Sequence, residues 1–150
     1  MRRSQNALKL DEDELMESHA KSTPVSNKRL WAGRIISALP VLFLLFDSVI
    51  HIIVPAPVVE AFAQLGYARS LSLPLGIIEL ICVILYVIPR TSVLGAVLLT
   101  GYLGGAVATN LRVGLGLFSH VLFPVYVGVL LWGGLYLRDR ELRAIFPVKR

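Results

Sequence analysis

The stretch Gly76–Arg112, GIIELICVILYVIPRTSVLGAVLLTGYLGGAVATNLR, decides the fold. It holds two apolar spans, the first beginning a few residues before it at about Leu71, joined by the tight turn Ile88-Pro89-Arg90-Thr91. The first run carries one carboxylate, Glu79, and the second carries the small residues Gly101, Gly104, Gly105 and Ala108. A carboxyl group in hydrocarbon is costly and faces a bundle interior or a watery cavity. Small residues let helix backbones approach closely, so Gly101, Gly104 and Gly105 are read as a helix-packing stripe.

The rest of the chain repeats the pattern. It has 150 residues, 55% of them hydrophobic, and a mean hydropathy of +0.70, too apolar for an ordinary soluble domain. The apolar residues come in long blocks without period-2 alternation, which argues against a β-barrel. The net charge of +5 does not point to nucleic acid, because the basic residues flank apolar spans and set topology instead. The single cysteine, Cys82, lies within a span and excludes an intramolecular disulfide or a CxxC pair.

Working outward, residues 1–29 are polar and charged, with an acidic run from Asp11 to Glu17, and read as a flexible tail. A short helix around Asp11–Ala20 is an option there. No secretory signal is read, because the first apolar block starts late and is long enough to span. The first span is about Ile35–Val54, entered by Trp31 and Arg34, and about twenty residues at 1.5 Å each cover about 30 Å of hydrocarbon. It carries Asp47 and His51 at i, i+4, stacked on one helical face. Pro55 and Pro57 stop it. Val58–Ala68 is mildly amphipathic and predicts a short helix along the membrane surface, capped at Gly66-Tyr67.

The second span, about Leu71–Ile88, is expected to be broken near its start by Pro74 and Gly76. It places Glu79, Cys82, Val83 and Tyr86 on one face. The third span runs from about Ser92 to Ala108 and is closed by Asn110 and Arg112. The fourth, about Leu117–Leu137, opens with His120 and is followed by a basic tail over 138–150. The expected fold is an all-α membrane protein: a four-helix transmembrane bundle over 30–137, with a short interfacial helix between spans one and two. Lys28, Arg29, Arg34, Arg90 and the C-terminal basic cluster fall on one side, so the positive-inside rule puts both termini in the cytoplasm of a plasma-membrane protein.

This topology also ranks the polar residues by depth. Asp47 and Glu79 both come about 10–12 Å below the outer surface, and His51, His120 and Asn110 about 5 Å below it. The five form a candidate polar intramembrane site in the outer half. A structural reading competes at each: Asp47 and His51 bonding each other, a neutral Glu79 bonded to a backbone carbonyl or Tyr86, and His120 at the interface. Cys82 and Tyr86 read as packing residues.

Three functions suit the cluster. It can handle protons at a quinone-facing site, since histidine titrates near neutral pH. It can bind a divalent metal or haem through His51, His120, Asp47 and Glu79, although the spacing matches no known metal motif. It can also belong to a non-catalytic bundle that acts as a subunit or holds a small molecule. No Gly-rich phosphate loop, nucleophile elbow or HExxH is present. The partners expected are the lipid bilayer and either a membrane redox protein or a second copy of the chain; catalysis itself is left open.

The strings LGY (Leu65–Tyr67), GIIEL (Gly76–Leu80), LYVIPRT (Leu85–Thr91) and LGAVLLTGYLGGAVATNLR (Leu94–Arg112) resemble the DoxX-like integral membrane family. The resemblance covers about Ile35–Leu137. It implies a four-helix membrane protein and highlights Asp47, His51, Glu79, Pro89, Arg90, Gly101, Gly104 and Gly105. The family takes its name from relatives of a thiosulfate:quinone oxidoreductase subunit, and some relatives join membrane redox complexes that deal with oxidative stress. The resemblance therefore implies an accessory role in a quinone-linked redox system. Many relatives carry histidine where this chain has Asn110, a departure that removes one metal ligand or proton carrier.

Overall fold

The computed structural model describes residues 27–146, all of whose regular elements are helical. Of the flexible tail expected over 1–29, residues 1–26, with the helix around Asp11–Ala20, lie outside the described residues, and Asn27, Lys28 and Arg29 are instead the first turn of the first helix. Four spans follow one another. They are α1 (Asn27–Ile53), then α3 (Ser72–Val87) preceded by a 3₁₀ turn at Arg69–Leu71, then α4 (Ser92–Arg112), and α5 (Phe123–Arg138) preceded by a π turn at Leu117–Val121. Short helices α2 (Ala56–Gln64) and α6 (Arg140–Ile145) follow α1 and α5. The four long segments have 27, 19, 21 and 22 residues when the leading turns are included, each apolar and long enough to cross a membrane. Their outward faces carry Leu39, Phe46, Ile53, Ile78, Ile81, Val97 and Val129, the surface expected against lipid.

Around the bundle, α1 packs on α3 and α5, and α4 packs on the same two helices. Leu44, Cys82, Val83, Tyr86, Ala96, Leu99, Leu131 and Leu135 fill the centre. Tyr86 is fully buried; its hydroxyl donates to the Leu131 carbonyl at 2.8 Å and shares a hydrogen bond of 3.1 Å with the Ser37 hydroxyl, tying α3 to α5 and α1. Arg138 stacks over the same ring, 4.9 Å from its centre, and donates to the Tyr86 carbonyl at 3.1 Å. At this end of the bundle the start of α1, the Pro89 turn and the end of α5 meet around Arg34 and Arg138. Asp139 then caps α6 by accepting from the Glu141 and Leu142 amides, which folds part of the basic tail back and buries Leu142.

Two sequence expectations change. Pro74 and Gly76 do not break the second span: Pro74 falls in the first turn of α3, where its missing N–H has no intrahelical partner to lose. Gly76 is buried at the α1 crossing, where an added Cβ would stand 2.8 Å from His51 Cβ and 2.9 Å from the Ser48 carbonyl. The close helix contacts are made by other glycines than the expected stripe. Gly33 and Gly134 bring α1 against α5, and Gly95 lies against the backbone of Tyr86. At Gly101, Gly104 and Gly105 a Cβ would meet nothing among the described residues within 4 Å. The reason is that the bundle closes through the opposite face of α4, where Ala96, Leu99 and Leu103 are buried.

Candidate functional site

At the end of the bundle away from the start of α1 and the end of α5, the diagonal helices α1 and α4 part around a half-open cavity of about 520 Å³. Asp47, Ile50 and His51 of α1 form one wall and Gly101, Tyr102, Gly105 and Ala106 of α4 the other, with Leu75 of α3 between them. Helix α2 roofs it with Val58, Ala61 and Phe62.

The roof is held by specific local chemistry. α2 ends in a Schellman motif: the Tyr67 amide donates to the Phe62 carbonyl and the Gly66 amide to the Ala63 carbonyl. Gly66 takes φ +72°, and the Tyr67 and Phe62 rings lie 6.0 Å apart in the accompanying apolar contact. Tyr67 shares a hydrogen bond of 2.7 Å with Thr109. Arg112 donates to the Leu65 carbonyl at 2.6 Å and lies over the Tyr67 ring. On the other side the chain enters α2 through Val54, whose φ of +54° is unusual for a β-branched residue. Phe62 meets the edge of His51 with ring centres 5.4 Å apart.

Below the roof, three of the sequence-predicted residues come together. Asp47, His51 and Glu79 each offer one ligand-type atom, and these atoms all lie within 4.8 Å of one another. Asp47 and His51 share a face through their one-turn spacing. Glu79 reaches them because Gly76, one turn earlier on α3, lets that helix approach α1. Ser72 tightens the crossing by donating to the His51 carbonyl at 2.8 Å. Glu79 is completely buried. Its Oε2 accepts from the Tyr102 hydroxyl at 3.2 Å, while its Oε1 and the Nδ1 of His51 are buried without a hydrogen-bond partner.

The other two candidates have different surroundings. Asn110 lines the cavity, but its side-chain amide donates to the His120 carbonyl at 2.8 Å, fastening the end of α4 to the π turn. His120 is exposed and its Nδ1 is paired with Ser119 Oγ at 2.8 Å. Gly101 and Gly105 serve as cavity wall. Tyr102 is the site residue that the sequence reading missed; Tyr86, the phenol expected near Glu79, bonds Leu131 and Ser37 instead. A signal for Tyr102 was present, because in an antiparallel hairpin Glu79 and Tyr102 lie nearly equidistant from the Arg90 turn.

These features define a multi-pass α-helical membrane protein with an acid–imidazole cluster at the head of a largely apolar cavity. The chain belongs to the DoxX-like family, whose profile matches residues 35–134. Searches of curated proteins and of solved structures return no match.

Proposed function

We propose that this DoxX-like protein is an accessory component of a quinone-linked membrane redox system and that its cavity takes the quinone ring. The observation that carries this reading is the meeting of Asp47, His51 and Tyr102 at one end of an apolar cavity of about 520 Å³, a size and polarity suited to an amphiphilic ring compound. His51 itself lines the cavity, which supports an imidazole beside a quinone oxygen. A bound quinone supplies two-electron chemistry coupled to protons. The chain's own residues bind and orient the ring: the apolar walls hold it, Phe62 covers its upper side, and Asp47 and His51 stand beside its oxygens. Open space at Gly101 and Gly105 supports passage of a long apolar tail toward lipid.

We also place the protein in the plasma membrane with both termini cytoplasmic, so that the cavity lies in the outer half. The gathering of Arg34, Arg138 and the Pro89 turn at one end supports this orientation. A cysteine replacing Arg90 in a Cys82→Ala background is expected to react with an impermeant thiol reagent in inverted vesicles and not in intact cells; reaction in intact cells reverses the topology. The redox reading is tested by mass spectrometry of the organic extract of gently purified protein. Quinone is expected above the level carried by an unrelated four-span protein from the same membrane, and a level equal to that control removes the reading.

A further inference from the structure

We infer that Asp47, His51 and Glu79 form a binding site for one divalent transition-metal ion of the zinc class. The inference does not depend on the cavity holding a quinone.

The geometry comes first. One oxygen from each carboxylate and one imidazole nitrogen lie within 4.8 Å of one another. Ligands around a four-coordinate zinc ion stand about 2.0–2.2 Å from the metal, so modest side-chain rotations close the set. The cluster is also built. Glu79 is completely buried; Tyr102 occupies its Oε2 and leaves the buried Oε1 without a partner. His51 is held from two sides, by Ser72 on its carbonyl and by Phe62 against its ring. Tyr102 does for Glu79 what outer-sphere hydrogen bonds do at metal centres: it fixes the orientation of a ligating carboxylate.

Charge makes the same case. Two carboxylates beside each other in a low-dielectric interior repel and are poorly solvated. A divalent cation neutralises the pair in place and gives the orphaned oxygen and nitrogen a partner. One imidazole with two carboxylates favours zinc, iron or manganese over calcium or magnesium, whose ligands are oxygen. Three protein ligands leave a fourth position, and Asp47, His51 and Tyr102 all border the cavity, so that position faces the space where a small molecule would lie.

The test uses the full chain without an affinity tag, purified in mild detergent, stripped with a chelator and reloaded with zinc chloride alone. Elemental analysis after gel filtration is expected to show about one zinc per chain, the count a single site allows. His51→Ala and Glu79→Gln are expected to lose it, and Tyr102→Phe to weaken retention about tenfold, as loss of an outer-sphere bond does. X-ray absorption of the wild-type protein should show nitrogen and oxygen neighbours including imidazole. Absence of zinc from the wild-type protein, which leaves Asp47 and Glu79 held by a shared proton, overturns the inference. So does zinc retained equally by both ligand variants, or a sulfur neighbour, which points to Cys82. If a variant fails to fold, the wild-type stoichiometry and absorption spectrum decide alone. Quinone is not a reagent in this experiment, so its outcome is separate from that of the redox reading.

Discussion

Single residues set the shape of the cavity. Gly66 holds φ +72° at the end of α2, and a Cβ there would find only ordinary contact, 3.7 Å from the Arg112 guanidinium. The left-handed backbone rather than crowding is therefore the constraint, and Gly66→Ala should cost about 1–2 kcal/mol. Reversible unfolding in mixed micelles will read this, with the loss confined to stability because the clamp from Arg112 to Leu65 remains. Tyr102 shows how a residue escapes a linear reading. Its ring belongs in an apolar span, and only pairing of the two hairpin arms reveals that its hydroxyl meets Glu79. Asn110 shows the reverse. It attracted attention as a polar residue near the span's end, yet its amide is committed to a backbone carbonyl.

Among the elements, the four spans were legible because lipid demands long apolar runs and prolines and glycines mark the turns. Asp47 and His51 were legible as a pair because helical spacing puts them on one face. Which glycines make helix contacts was not legible, since that depends on how each helix is rotated about its axis. A GxxxG spacing says only that a flat face exists. Gly101 and Gly105 put theirs beside the cavity, whereas Gly76, with no such motif, sits in the tightest part of the α1–α3 crossing. The two kinds of position should respond differently. Gly76→Leu forces a side chain onto His51 and Ser48 and should destabilise by about 1–3 kcal/mol, while Gly104→Leu, with open space around it, should stay within about 0.5 kcal/mol. Thermal unfolding of both variants in the same detergent makes the comparison, and equal losses would contradict the assigned crossing.

At the scale of the molecule, the two ends of the bundle differ in kind. The terminal end is closed by Tyr86, Arg138 and capped α6, with bonds that bind three spans together. The far end is looser: α1 and α4 part, α2 spans the gap, and an acid and an imidazole group are buried beside the cavity without full hydrogen bonding. Unsatisfied buried polar groups are uncommon in native proteins and call for an explanation. Among the described residues two such atoms, Glu79 Oε1 and His51 Nδ1, meet beside the apolar cavity, while the third, Arg138 Nε, lies at the other end; ligand binding at the paired site is the account's central claim. Titration of purified protein with a short-chain quinone, followed by intrinsic fluorescence, tests it most directly when wild type is compared with Gly105→Leu. Residue 105 has open space around it and lines the cavity, so leucine should fill the pocket and leave the fold intact. Saturable binding by wild type, weakened at least about tenfold, or about 1.4 kcal/mol, in Gly105→Leu, is the predicted result. Absence of saturable binding by wild type, or equal affinity in the two proteins, would contradict it.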